Sequence, residues 1–518
     1  MTRLSVLAFA AALGLAVPAL AAAPSDTIRV ALNGDLRSTD PGTKRDDNTD
    51  AVILHVVEGL VAYREDASVG PMLADKIAVS DDGKTYTFTL RDGVKFHNGA
   101  PMTSAEVVWS WKRWLDPKTE WRCLPEFDGR GRIKIEAIDA PDPKTVVFHL
   151  NAPSALFLTT MARTDCAEGA IIHPDSLAAD GSWKAPIGTG PYLLEKWEPG
   201  QYVQLKRFAD YASRGGDRDG YTGGKQAVAE TIRFNIIGDP AAAKTALLSG
   251  DIDLVPDVDI ADKLELDGQK GVRTQLAQTL SMSAILLQTR DPLLKDVRIR
   301  KALALAIDTK QITEAVTQGT SPPNASVVPS ASPYYTDAER QGYTANVDEA
   351  KALLAEAGYT GQPIKMLVNR KYKSVYDTAI LAQALAQQAG INIELEVLDW
   401  GAQLDRYTSG QYQTMSFSYS ARMDPALSYE MVSGPKDTQP RKVWENPEAL
   451  KLIQEAMVTG DPKQRQDIFD KLHAMQIADV PLIVTYNGAE IAAISDRIEG
   501  YSPWTASKPR LWNVTIKN

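Results

Sequence analysis

An α/β fold is predicted, and three observations predict it. Helical and strand periodicities interleave along the chain, the stretch 346–425 closes as β-α-β-α-β, and no fixed-period repeat or low-complexity linker divides the sequence. The 518 residues allow about three domain-sized units. Apolar residues make up 44% and charged residues 24%, which suits a globular core, and 35 Gly with 30 Pro are too few for a collagen-like or disordered chain. With 66 acidic against 56 basic residues the net charge is −10, so there is no general basic face and nucleic acid is not an expected partner. Two Cys exclude a disulfide scaffold, and five scattered His leave little material for a metal centre. No metal and no cofactor is expected.

The N-terminus reads as an address. Arg3 precedes an apolar run over 4–17, then Pro18-Ala19-Leu20-Ala21. A basic segment, a short apolar segment and a small-x-small site form a secretory signal over 1–21, with cleavage after Ala21. The apolar run is about 14 residues, short of the roughly 20 that a membrane helix needs. No Cys follows the site, so no lipid anchor is expected there. Export into an oxidising compartment makes Cys123 and Cys166 a candidate disulfide, the alternative being two buried thiols.

The elements follow in order. Residues 77–79, the turn Asp82-Gly83 and the alternating Tyr86, Phe88 and Leu90 predict a β-hairpin. Thr103 and Glu106 form a capping box, opening a helix that buries Val107, Val108, Trp111, Trp114 and Leu115. The segment 188–192 carries two close glycines before Pro191, which predicts a turn entering a strand at 192–196. Asn346 and Glu349 cap a helix with Ala350, Leu353, Leu354 and Ala357 on one face, and Gly358 stops it. Then come a strand at 364–368, a helix at 375–389, a strand at 391–397, a short helix at 403–409 and a strand at 414–419. Strands separated by helices favour a parallel sheet with right-handed crossovers.

Ligands of open α/β sheets sit beyond the carboxyl ends of the strands. Just past those ends stand Asn369 and Arg370, Asp399 and Trp400, and the loop 420–424 with Arg422 and Asp424. Two guanidiniums and an indole are therefore expected on one rim. Arginine offers a planar fork for carboxylate or phosphate, and Trp an apolar or cation-binding face. The alternative is that each Arg pairs with a surface carboxylate and Trp400 is core. Tyr419 is a further candidate, although alternation also permits it to point into the core.

The sequence contains no His-Glu-x-x-His, Gly-x-Ser-x-Gly, Walker-type Gly-Lys-Ser/Thr or Cys-x-x-Cys. His97 lies in a predicted turn with no second His nearby and reads as structural. An exported hydrolase built on scattered carboxylates is the enzyme alternative.

The run 82–99, Asp-Gly-Lys-Thr-Tyr-Thr-Phe-Thr-Leu-Arg-Asp-Gly-Val-Lys-Phe-His-Asn-Gly, resembles the extracellular solute-binding proteins of the peptide/opine/nickel ABC importers. The resemblance continues through 101–117 and 188–211, at Ser249-Gly250-Asp251-Ile252-Asp253, over 296–308, and to Pro503-Trp504. It implies a two-lobed periplasmic-binding-protein fold with an extra subdomain in lobe 1 and a hinge between lobes. Lobe 1 would take 22–281 with the subdomain at roughly 52–187, lobe 2 would take 282–485, and 486–518 would return to lobe 1. By this resemblance the chain is a monomeric periplasmic binding component, not an enzyme. It would capture a small-molecule solute and deliver it to an ABC transporter permease.

Residue roles are carried over one by one. Asn369-Arg370-Lys371-Tyr372 resembles a segment that places an arginine on the ligand carboxylate, and Asp399-Trp400-Gly401 matches the family's acidic-Trp-Gly pattern at the cleft. Many peptide binders carry an aspartate, three residues before an Asp-Pro pair, for the free amine. Ala421 occupies that register here, followed by Arg422, with Asp424 as a possible substitute. From lobe 1, Asp46 and Asn48 resemble a ligand-facing loop. The implied ligand is a peptide or small peptide-like anionic solute. The alternative is a non-peptide such as an opine, a sugar phosphate conjugate or a metallophore.

Overall fold

The structure is a computed structural model and describes residues 26–517; the predicted signal at 1–21 lies outside them. Alternating apolar residues assemble one ten-stranded sheet that runs through both lobes. From one edge the order is Ile393–Leu398, Ile364–Asn369, Thr414–Tyr419, Val272–Leu287, Leu482–Ser495, Leu254–Val255, Thr27–Leu32, Thr231–Ile236, Tyr202–Arg207 and Tyr192–Glu198. The first three strands are mutually parallel, with helices Lys373–Gln388 and Trp400–Ser409 as the crossovers. In the division that the sequence predicts, these strands fall to lobe 2 and the half of the sheet around Thr27–Leu32 to lobe 1.

Two long antiparallel strands, Val272–Leu287 and Leu482–Ser495, span the junction. Their ladder breaks between Gln278 and Met282. Side chains take over there: Asn487 Nδ2 donates to Ser281 O at 2.8 Å, and Gly488 N donates to Ser281 Oγ at 3.2 Å. Beyond the break the strict alternation of the strand divides lobe 2 into two cores. Ala284 and Leu286 face one cluster with Phe417, Tyr429 and Trp444, while Ile285 and Leu287 face another with Leu303, Val368 and Ala379.

Lobe 1 carries a second, four-stranded antiparallel sheet, ordered Ala74–Val79, Thr85–Leu90, Thr145–Leu150, Ile135–Asp142. Helix Ser104–Leu115 packs near it, opened by the Thr103–Glu106 capping box. Val107, Trp111 and Trp114 are buried, whereas Val108 and Leu115 are only partly so. Trp111 meets Phe127 and Phe148 edge-on at 5.3 and 5.2 Å, a geometry that suits the ring quadrupoles. Cys123 and Cys166 are bonded, with Cα atoms 5.6 Å apart and a sequence separation of 43. His97 Nε2 donates to Gly190 O (3.0 Å) and packs on Phe208, and burial lowers its pKa to about 4.

Several boundaries differ from expectation for local reasons. The helix expected from 403 begins at Trp400, because Asp399 caps it by accepting from Ala402 N at 3.0 Å. The helix expected from 375 begins at Lys373, where Asn369 Oδ1 accepts from Tyr372 N at 3.0 Å. The strand expected from 391 begins at Ile393, since Ile391 N is spent on Ala386 O as the preceding helix closes.

Candidate functional site

The carboxyl ends of the parallel strands and the first turns of their crossover helices enclose a cavity of about 280 Å³. Asn369, Tyr372, Trp400, Phe417, Tyr419 and Ser420 line it, together with Ser281 from the break in the long strand. Its wall is aromatic. Trp400 stacks on Phe417 at 5.8 Å and meets Tyr372 edge-on at 5.2 Å. Phe417 and Tyr419 share a face because they are two residues apart on one strand.

Asn369 positions this wall. It is 1% exposed, donates to Gln403 Oε1 at 2.5 Å and accepts from Tyr372 N, while Gln403 Nε2 donates to Ser416 O at 2.9 Å. One amide thereby ties both helix starts to the strand between them. Tyr419 is 4% exposed, so it both lines the cavity and packs in the core against Tyr407 and Phe417. Burial holds its hydroxyl well above the usual phenol range.

Neither expected guanidinium lines the cavity. Arg370 is exposed and lies over the Tyr376 ring at 5.2 Å, with Nη2 3.4 Å from the Tyr376 hydroxyl. Arg422 is half-buried beyond the rim and donates to Ser420 O (3.4 Å) and Ala421 O (3.0 Å). Burial, then the like charges of Arg163 and Arg441, lower its pKa.

Asp424 does not stand free as a receptor for an amine. It is buried, takes two bonds from Arg465 (2.9 and 2.7 Å) and caps helix Pro425–Val432 through Ala426 N. It lines a larger cavity of about 530 Å³, between Ala67, Ala155 and Thr159 on one side and Tyr334, Met423 and Arg465 on the other. In that cavity Asp424 and Arg465 pair with each other, and Lys463 lines it as well. On lobe 1, Asp46 caps helix Asp47–Ile53 through Thr49 N at 2.8 Å, and Asn48 donates to Asn33 Oδ1 at 2.9 Å. Neither lines the cavity.

The fold thus brings together Asn369, Trp400 and Tyr419, and leaves Arg370, Arg422, Asp424, Asp46 and Asn48 outside the lining. Sequence reasoning missed Tyr372, Phe417 and Ser281. Phe417 was legible, since it alternates with Tyr419 in the predicted strand. Ser281 was not, because only strand pairing carries it to the end of another strand. Among the described residues, Cys123, Asp165 and Cys166 are the one group close enough to share a metal, and both sulfurs are in the disulfide. Among the same residues no helix is long and apolar enough to cross a membrane.

The family model for bacterial extracellular solute-binding proteins, family 5, matches residues 68–440. The chain belongs to this family, the solute-binding proteins of ABC importers. It is 26% identical to the dipeptide-binding protein of Escherichia coli (strain K12), over 92% of this chain and 91% of that one. Two solved structures show the same fold. HbpA2 from Haemophilus parasuis has a TM-score of 0.82 at 24% identity, covering 95% of this chain and 100% of its own. AgaA from A.tumefacien R10, in complex with agropinic acid, has a TM-score of 0.68 at 26% identity, covering 95% and 99%.

Proposed function

We propose that this chain captures a peptide or small peptide-like anionic solute in the periplasm, holds it against the Trp400–Tyr419 cavity, and passes it unaltered to a membrane permease. The observation that carries this reading is the cavity itself. It is a preformed aromatic wall at the carboxyl ends of parallel strands, with the amino ends of two helices beside it. The amino end of helix Lys373–Gln388 favours an anion, that of Trp400–Ser409 being already capped by the Asp399 carboxylate, while Trp400 and Phe417 supply apolar area.

All the lining residues come from lobe 2 or from the strand break, so the opposite wall must arrive by closure of lobe 1. In this reading lobe 1 spans 22–281 with a subdomain at roughly 52–187, lobe 2 spans 282–485 and the return is 486–518, with the hinge at the broken ladder near 278–282 and 487–488. Closure expels water and strengthens the polar contacts around the solute. A solute favours closure only by its difference in affinity for the two states. No bond is made or broken. The mature protein acts as a monomer, after loss of the signal at 1–21.

Native mass spectrometry of protein purified without unfolding tests the reading. The expected result is a co-purified peptide-like anion in one-to-one ratio. A candidate solute that is chemically converted by the protein would replace transport with catalysis. A non-peptide anion such as an opine is the second reading, favoured by Ala421 standing where a carboxylate for an amine would be expected.

A further inference from the structure

The chain carries a net charge of −10, yet cations crowd the place where the loop after Thr414–Tyr419 meets lobe 1. Arg122, Arg132 and Arg163 come from lobe 1, and Arg422, Arg441 and Lys442 from lobe 2. Three carboxylates stand among them, and each is taken. Glu430 is held by Arg132 at 3.2 Å and Lys442 at 3.7 Å. Asp165 is held by Arg163 at 2.8 Å and Arg122 at 3.0 Å, and Glu126 by Arg163 at 2.9 Å. The six cations therefore exceed the local carboxylates.

Arg422 and Arg441 are the two without an ion pair among the described residues. The like charges of Arg163 and Arg441 both act on Arg422, and Arg422 is half-buried, which raises the cost. The lobes already touch at this point, because Met423 packs on the lobe 1 core and the Arg132–Glu430 pair crosses between them.

This cluster adjoins the solute cavity. Ser420 lines the cavity and accepts from Arg422. Arg441 is among the charges acting on the hydroxyls of Tyr407 and of the cavity-lining Tyr419. Closely set guanidiniums that lack carboxylates are the arrangement that an anion stabilises, through forked charge-assisted hydrogen bonds.

The geometry points to a second anion subsite at the rim of the cavity, where Arg422 and Arg441 receive an acidic group of the solute and Arg163 faces it from the other lobe. This rests on the reading that the solute occupies the Trp400–Tyr419 cavity, and it narrows the solute class. The preferred solute carries an acidic group in addition to the single carboxylate that any peptide has. Arg163, already paired twice, contributes its field rather than a free fork, so the subsite is completed only as the lobes approach.

Calorimetric titration of the full chain with Ala-Glu and with its neutral isostere Ala-Gln tests the subsite. The expected result is a preference of about tenfold for Ala-Glu that collapses to about twofold in Arg441→Gln. Arg441 is exposed, so the free variant should melt with the parent protein. Equal affinities in the parent, or a preference that survives Arg441→Gln, would overturn the subsite and leave the peptide reading standing.

If neither peptide binds, the peptide reading fails by itself, and inorganic phosphate becomes the probe. At constant ionic strength phosphate should raise the melting temperature of the parent by about 2 °C and leave the Arg422→Gln/Arg441→Gln double variant unmoved. No rise in the parent, or the same rise in both, would overturn the subsite.

Discussion

At Asp424 two demands fall on one carboxylate. The local sequence makes it a helix cap before Pro425, and the fold adds the Arg465 guanidinium, with the two side chains only 6% and 7% exposed. Asp424→Asn should keep the cap but leave Arg465 as an uncompensated buried cation. The expected loss is about 3–5 kcal/mol in urea melting, and an unchanged midpoint would refute the pairing. Glu168 makes the opposite case. It is 1% exposed beside the buried Glu58–Lys225 pair, and burial raises its pKa from 4.5 to about 8. The unfolded chain loses this proton near pH 4.5 and the native one near pH 8, so the side chain costs stability progressively as pH rises between them. Glu168→Gln should therefore match the parent at pH 4 and gain a few kcal/mol by pH 8, because each pH step of one across that interval is worth about 1.4 kcal/mol. A constant difference across that range would show that ionisation is not the cause. The sequence marked Asp424 as a rim candidate and did not mark Glu168, and it showed the pairing or burial of neither, because burial beside a distant partner is not a local property.

Among the elements, the parallel trio of lobe 2 was the most legible. Period-2 strands, period-3.6 helices and the caps at Asn346, Gly358 and Gly390 all act within a few residues, so the sequence displays them. The two long strands were not legible as such, since their break lies in the pairing and not in either segment alone. At that break a Cβ on Gly488 would come 2.4 Å from Ser281 Oγ. Gly488→Ala should destabilise the protein by about 1–3 kcal/mol through overpacking. Adding Ser281→Ala removes the clashing oxygen and should recover most of that loss in chemical denaturation. A double variant no more stable than Gly488→Ala would assign the effect to backbone rather than contact.

For the whole molecule, the lobes meet beyond the two strands. Ala155 N donates to Met457 O at 3.0 Å, and Leu156 enters the lobe 2 core at 4% exposure. In the proposed mechanism, closure over the aromatic wall works against this second contact as well as the hinge. Small-angle scattering should show a smaller radius of gyration when the co-purified solute is added back, and an unchanged radius would argue against a closing cleft. Leu156→Ala should cost about 2–5 kcal/mol of stability, because its side chain fills a packed core from across the junction. By itself the sequence determined the α/β class, the alternating strands and helices of 346–425, the capped helix of lobe 1, and the rim on which Asn369, Trp400 and Tyr419 stand. Those features depend on side-chain periodicity and on caps a few residues apart. Only the structure showed that Arg370 turns to Tyr376, and tertiary structure alone decided that Arg465 claims Asp424 and that the charge of Arg163 acts on Arg422. Charge pairing depends on distance in space, and residues as far apart in sequence as Asp424 and Arg465, 41 positions, acquire that distance only when the chain has folded.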